Sequence, residues 1–190
     1  YMMSVGYDMY LKLLNDAVLE QQGKRSEIPP DCAADLTVSA YIPESYVPSA
    51  EQRMDLYRRI AALRDNEGAA ELTDELLDRY GDVPKAVTAL LDVALLRAAA
   101  ADTGVTDITQ KGQTLLLSLG QRMDVPSLMA VCTLPAYRSR LLLSAGEHPK
   151  LTLHLKPGEE ALDAAGHLVE ALTLKRKEIS GETPAEGGTL

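Results

Sequence analysis

The side chains best suited to bind a metal or to activate a nucleophile belong to three histidines. They are His148, His154 and His167, and Cys132 or Asp163 could complete a ligand set with them. Zinc sites place their ligands in tightly spaced pairs, which these residues do not form. The spacing favours histidines on a strand or helix surface, with a metal site or a histidine-dependent hydrolase as the alternatives.

Two acidic pairs could perform general acid–base chemistry if a cleft raised the pKa of one member. Glu159 and Glu160 lie where a helix is predicted to begin, and Asp31 and Asp35 lie near the start of a predicted strand. Carboxylates at a helix start stabilise the positive end of its dipole. A structural role is therefore favoured for Glu159 and Glu160.

Nucleotide-binding and nucleophile motifs are missing from the sequence. It contains neither G-x-x-x-x-G-K-[ST] nor G-x-G-x-x-G, and no G-x-S-x-G. We therefore predict no catalytic residue, no metal site and no cofactor in this chain.

The net charge of −9 disfavours a surface built to neutralise phosphates, because nucleic-acid affinity comes from Lys and Arg that release counterions. The alternative is an accessory nucleic-acid-binding module of a helicase-like motor. That alternative would depend on a few scattered basic residues: Lys12, Lys24, Arg25, Arg58 and Arg59.

Most of the negative charge lies between Asp65 and Asp82, a stretch with seven acids and a single base, Arg79. On a helix, at about 100° per residue, four of the acids fall within one arc of about 100°: Glu71, Asp74, Glu75 and Asp78. The apolar residues lie nearly opposite: Leu72, Leu76 and Tyr80. Like charges three and four residues apart repel, and in this pattern only Arg79 offsets them. The face is interpreted either as solvated or as a binding surface for a basic partner.

An amphipathic helix is predicted over 7–22, followed by a linker that ends at Pro29 and Pro30. The apolar–polar alternation over 35–42 then predicts a strand. Three helices should follow, over 49–65, 66–80 and 84–101. Ser49 and Gln52 form a capping-box signature at the first of these helices, and Gly81 is the predicted left-handed stop of the second.

The period changes to two after Gly104. Strands are predicted over 105–112, 113–120, 137–144 and 150–156, with helices over 126–133 and 159–177. The order of elements predicts an α+β fold, with a helical half followed by a small, mainly antiparallel sheet and its covering helices. The polar tail over 179–190 is predicted to be flexible.

The remaining features predict a cytoplasmic protein without membrane contact. Cys32 and Cys132 are far apart and are interpreted as reduced thiols. No apolar run reaches the length of a membrane span, and the residues from Tyr1 to Ser4 do not have the character of a signal peptide.

Three sequence blocks closely resemble the C-terminal domain of the bacterial transcription-repair coupling factor family (Mfd). The blocks are IPESYVP at 42–48, QRMDLYRRI at 52–60 and ELLDRYGDVP at 75–84, in the order and spacing of the family. The leading helix VGYDMYLKLLNDAV at 5–18 resembles the segment that closes the translocase motor of this family. The resemblance implies three parts: motor helix and linker over 1–30, regulatory domain over 31–178 and flexible tail over 179–190.

The resemblance implies a regulatory role without chemistry. In the family this domain docks on the N-terminal UvrB-like domain of the same protein, masks the surface that recruits UvrA, and restrains the motor until RNA polymerase is engaged. This docked arrangement acts as a clamp, and its acidic contacts in the family match Glu75 and Asp78 here. We extend the expected partner-binding face to Glu71 and Asp74. The parent protein is expected to be an ATP-dependent DNA translocase, with ATP, Mg²⁺ and DNA bound by its motor and not by this chain.

Overall fold

The computed structural model describes residues 31–181. The predicted helix over 7–22 and all but the first residues of the predicted tail therefore lie outside the described residues. The helices are α1 (Ala50–Ala61), α2 (Asn66–Tyr80), α3 (Lys85–Thr103), α4 (Val125–Cys132) and α5 (Ala161–Ser180). The strands are β1 (Ala33–Asp35), β2 (Val105–Lys111), β3 (Thr114–Leu119), β4 (Leu141–Ser144) and β5 (Lys150–His154).

The strands form one sheet in the order β1-β2-β3-β5-β4. β1 pairs in parallel with β2, and the other three pairs are antiparallel. Ile108 lies opposite Leu117, which lies opposite Leu151, so one face of the sheet carries a row of buried apolar side chains. α3, α4 and α5 supply apolar residues to the same cluster. The predicted α+β class, with a mainly antiparallel sheet covered by helices, is confirmed.

A second hydrophobic cluster lies among α1, α2 and the first half of α3. α3 joins the two clusters because its Leu90 and Leu91 pack in the helical one, whereas Leu96 and Ala100 pack against the sheet. This shared helix fixes the helical half to the sheet half, which leaves α2 on the outside with one face toward solvent.

The strand predicted over 35–42 is wrong for all but its first residue. Within 33–42, only β1 pairs with another strand. The residues after β1 cross from the sheet to the helical half. Leu36 is buried in the sheet cluster and Ile42 in the helical cluster. The alternation of apolar residues therefore reflects an extended connection that buries side chains in two cores, without ladder hydrogen bonds along it.

Besides β1, three element ends differ from their predictions by three or more residues. α1 ends at Ala61 instead of 65, because Asp65 caps the next helix. β4 begins at Leu141 instead of 137, because the segment before it forms hydrogen-bonded turns, in which Leu141 N–H donates to the Tyr137 carbonyl at 2.9 Å. α5 runs to Ser180, three residues past its predicted end.

Gly104 occupies the turn between α3 and β2, where the backbone of Met123 lies against it. Its φ of 91° is in the left-handed region, and a Cβ at this position would lie 2.5 Å from the Met123 nitrogen. Glycine is thus required here by both conformation and space.

Candidate protein–protein interface

α2 presents its acidic residues outward because its opposite face is buried. Asp65 caps the helix, with its side chain accepting a hydrogen bond from the Gly68 N–H at 2.8 Å. Ala69, Leu72 and Leu76 are buried in the helical cluster, and Tyr80 packs against its edge. The predicted helix over 66–80 and its orientation are confirmed.

Three of the four predicted partner-binding acids are exposed: Glu71, Asp74 and Asp78. We refer to these three residues as the acidic stripe. Within residues 31–181, none of the three forms an ion pair with a Lys, Arg or His side chain. The acidic stripe is therefore an uncompensated negative surface on an anchored helix.

The fourth acid, Glu75, differs from the acidic stripe because its own fold neutralises it. Its carboxylate forms an ion pair with Arg59 of α1 and a second, longer contact with Arg79, one helical turn away, at 3.5 Å. The Arg59 guanidinium, and to a smaller extent Arg79, holds the pKa of Glu75 below its ordinary value against a weaker opposing effect of burial. The expectation that only Arg79 offsets the acidic stretch is wrong, because α1 supplies a second cation.

The position of Glu75 around the helix explains this pairing. At about 100° per residue, Glu75 lies on the same side of α2 as Arg79, between the exposed arc and the buried apolar arc. That side faces α1. Glu75 therefore reaches a tertiary partner that the outward-pointing Asp74 and Asp78 do not.

The end of α2 is fixed by two tyrosines. The Tyr46 hydroxyl donates to the Gly81 carbonyl at 2.9 Å, and the Leu76 carbonyl oxygen lies 3.2 Å from the same hydroxyl. Tyr80 donates to the side chain of Gln52 at 2.9 Å. The centres of the Tyr46 and Tyr80 rings are 5.6 Å apart. These contacts hold the last turn of α2, which carries Asp78, against α1 and the preceding loop.

The predicted stop of α2 at Gly81 is confirmed, although its conformation is not that of a left-handed helical residue. Gly81 has φ of 86° and ψ of −159°, a region that is essentially restricted to glycine. The capping-box prediction is confirmed in part. The Ser49 side chain accepts from the Gln52 N–H at 3.3 Å, but the Gln52 side chain contacts Tyr80.

An open cleft of about 660 Å³ lies between α1 and the end of α2. Its charged lining residues are of both signs: Glu51, Asp55, Arg58 and Arg79. Asp78 and the other residues of the acidic stripe do not line this cleft.

The histidines considered as metal ligands or catalytic groups lie on separate elements of the structure. His148, His154 and His167 are all exposed and lie on the β4–β5 connection, on β5 and on α5. Within residues 31–181, no group of three or more His, Cys, Asp and Glu side chains is arranged to hold a metal ion. In the same part of the chain, Cys32 and Cys132 are not joined by a disulfide.

No described helix combines the length and apolar character needed to cross a bilayer.

One member of each predicted acidic pair forms an ion pair with an arginine. Glu159 forms an ion pair with Arg140 at 2.5 Å and accepts a hydrogen bond from the Lys156 N–H at 2.8 Å. Burial opposes ionisation, but these two contacts outweigh it and lower the pKa of Glu159. Glu160 is the N-cap of α5 and makes no side-chain capping hydrogen bond. Asp31 forms an ion pair with Arg97 at 3.0 Å.

The basic residues proposed for nucleic-acid contact are not gathered into a patch by the described residues. Arg59 is engaged by Glu75, and Arg58 lines the mixed cleft. Lys12, Lys24 and Arg25 lie outside the described residues.

Sequence reasoning missed the three arginines that pair with candidate acids. Arg59, Arg97 and Arg140 are 16, 66 and 19 residues away from their partners. No local spacing signals such contacts, because they depend on how helices and strands meet in the fold.

The region that contains the acidic stripe matches a known domain family, the TRCF domain, over residues 36–128. This chain contains a TRCF domain. The resemblance to the transcription-repair coupling factor family is thus confirmed, and both Arg59 and Glu75 lie inside the matched region.

Curated relatives support the same assignment. A transcription-repair-coupling factor from Staphylococcus epidermidis is 33% identical over 121 residues, which is 63% of this chain and 10% of that protein. The corresponding protein from Staphylococcus aureus (strain USA300) is 31% identical over 119 residues, 61% of this chain and 10% of that protein. The chain with the TRCF domain therefore spans about a tenth of the length of these relatives.

The fold is that of a solved domain of the same kind. The crystal structure of a C-terminal domain of transcription-repair coupling factor superposes with a TM-score of 0.63. The sequences are 18% identical, and the match covers 78% of this chain and 95% of that one. The structural likeness thus extends the shared fold of the TRCF domain well beyond residues 36–128.

Proposed function

We propose that this TRCF domain is a non-catalytic regulatory domain that docks on the N-terminal UvrB-like domain of its parent protein and masks the UvrA-binding surface there. The observation that supports this proposal is the acidic stripe, in which Glu71, Asp74 and Asp78 are exposed on an anchored helix. Because interfaces juxtapose surfaces of opposite charge, the expected partner surface carries arginines or lysines.

The energetics of such a contact suit a reversible clamp. An exposed ion pair contributes about 0 to 1 kcal/mol, whereas close, partly desolvated interface pairs have coupling energies of about 1.5 to 7 kcal/mol. Linkage in one protein gives the partner an effective concentration of about a millimolar. An intrinsic Kd of about 10 μM would then favour the docked state by about 100 to 1.

Release of the clamp requires a second ligand that prefers the undocked state. A bias of about 100 to 1 corresponds to about 3 kcal/mol. In this proposal RNA polymerase supplies that difference when it engages the parent protein. ATP, Mg²⁺ and DNA act in the motor, the whole protein works in the cytoplasm, and the TRCF domain contributes regulation only.

The experiment is a binding measurement between this chain and the N-terminal UvrB-like domain of the matching coupling factor. Isothermal titration calorimetry should give a Kd in the micromolar range that weakens as salt is added, because the contact is charged. UvrA should then compete for the UvrB-like domain. Absence of binding at low salt, or simultaneous binding of UvrA and this chain, would contradict the proposal.

A further inference from the structure

We propose that Arg59 is an internal competitor of the docking partner: it occupies the Glu75 carboxylate, which would otherwise extend the acidic stripe, and thereby limits the docking affinity. This inference rests on the proposed function, because it concerns the same surface. It assigns opposite roles to neighbouring acids, since Asp78 is available to a partner and Glu75 is already engaged.

The four acids would form one continuous surface without Arg59. Glu75 follows Glu71 by four residues and precedes Asp78 by three, and residues at these spacings are neighbours on a helix. Arg59 reaches Glu75 from α1 and contacts its Oε2 atom, while Arg79 approaches Oε1 at 3.5 Å. Arg59 of α1 therefore neutralises one of the four negative charges on this face of α2.

The pair is accessible enough to exchange with a partner. The Arg59 and Glu75 side chains are 40% and 35% exposed, respectively. A guanidinium from a docking protein can thus approach Glu75 from solvent, and Arg59 can turn outward when displaced. Exposed pairs of this type contribute little free energy, so replacing Arg59 by a partner guanidinium costs little.

Arg59 has more influence on Glu75 than Arg79 has. The Arg79 contact is long, and its guanidinium also lies 5.1 Å from the centre of the Tyr80 ring. Removing Arg59 should therefore leave Glu75 with only the longer Arg79 contact.

Arg58 provides a matched control. It is the adjacent residue on α1, is also exposed, and forms no ion pair with any described residue. Arg58→Gln and Arg59→Gln change the net charge equally at nearly the same place. Only the Arg59 substitution exposes a carboxylate.

The test compares the Kd of four proteins for the UvrB-like domain: the unmodified chain, Arg59→Gln, Arg58→Gln and the double variant Arg59→Gln with Glu75→Gln. Arg59→Gln should bind about three- to fivefold more tightly than Arg58→Gln, which is the effect of about one exposed ion pair. The double variant should lose that gain. Urea unfolding of each variant verifies that the fold is retained.

The possible results separate this inference from the proposed function. If the unmodified chain binds but Arg59→Gln binds no more tightly than Arg58→Gln, the competitor role is contradicted and the docking function stands. A gain that persists in the double variant would also contradict it, because the gain would not come from Glu75. If no variant binds, both proposals are contradicted.

Discussion

Arg59 of α1 and Glu75 of α2 form an ion pair across two helices that share one hydrophobic cluster. This contact divides the acids of α2 into a paired residue and an exposed acidic stripe. Glu71, Asp74 and Asp78 are thus left as the groups that a basic partner would meet first.

The burial of one face of α2 orients the acidic stripe, and adjacent leucines test it. Leu76 is 1% exposed and Leu77 is 44% exposed. Leu76→Ala should lower the free energy of unfolding by about 2 to 5 kcal/mol, since it leaves a cavity in the helical cluster. Leu77→Ala should cost less than about 1 kcal/mol. Equal losses in urea unfolding would contradict the orientation of α2.

α2 ends at Gly81, three residues after Asp78 of the acidic stripe, because of the backbone conformation of this glycine. A Cβ there would meet no atom within 4 Å, so the cost of Gly81→Ala is backbone strain alone. We expect a loss of about 1 to 3 kcal/mol in unfolding free energy.

Gly166, inside α5, is the matched control for Gly81. It too has open space around a Cβ but no positive φ. Gly166→Ala should stabilise the protein by about 0.4 to 1 kcal/mol. A stabilising effect of Gly81→Ala in thermal or urea unfolding would show that the positive φ is not required.

The contact between Glu159 and Arg140 ties β4 to the start of α5. Both side chains are largely buried, and Glu159 also accepts from the Lys156 N–H. Glu159→Ala should therefore cost about 1 to 3 kcal/mol in unfolding free energy. Glu160→Ala, which removes no capping hydrogen bond, is the control and should cost clearly less. Similar losses would contradict this role of Glu159.

The lowered pKa of Glu159 predicts a pH dependence of stability. A carboxylate whose pKa is lower in the folded state adds stability above its unfolded pKa, here about 4.5, and loses that contribution as pH falls through the folded value. The difference in unfolding free energy between the unmodified chain and Glu159→Gln should thus be constant near neutral pH and shrink below about pH 4.5. Urea unfolding across this range is the measurement. A difference unchanged at pH 3 would contradict the assignment.

Patterns within single elements were predictable from the sequence. The 3.6-residue period placed Leu72 and Leu76 on the buried face of α2, and the change to a period of two located the β2–β3 hairpin. Gly81 and Gly104 marked the helix ends because few other residues adopt their conformations.

Contacts between elements were not predictable in the same way. The alternation over 35–42 could not show that Leu36 and Ile42 enter different cores. The pairing of Arg59 with Glu75 likewise depends on the packing of α1 against α2, which no local spacing encodes. The sequence thus identified the acidic face but not the cation that partly neutralises it.

In the proposed docking, exposed acids of α2 bind a cationic surface of the UvrB-like domain. The most direct test of this docking is the Kd of Asp78→Lys for that domain, compared with Glu147→Lys, which makes the same charge change at an exposed position between β4 and β5. We expect Asp78→Lys to weaken binding by about tenfold or more, since a lost pair is replaced by repulsion, and Glu147→Lys to leave the Kd nearly unchanged. Equal affinities for the two variants would contradict docking through the exposed acids of α2.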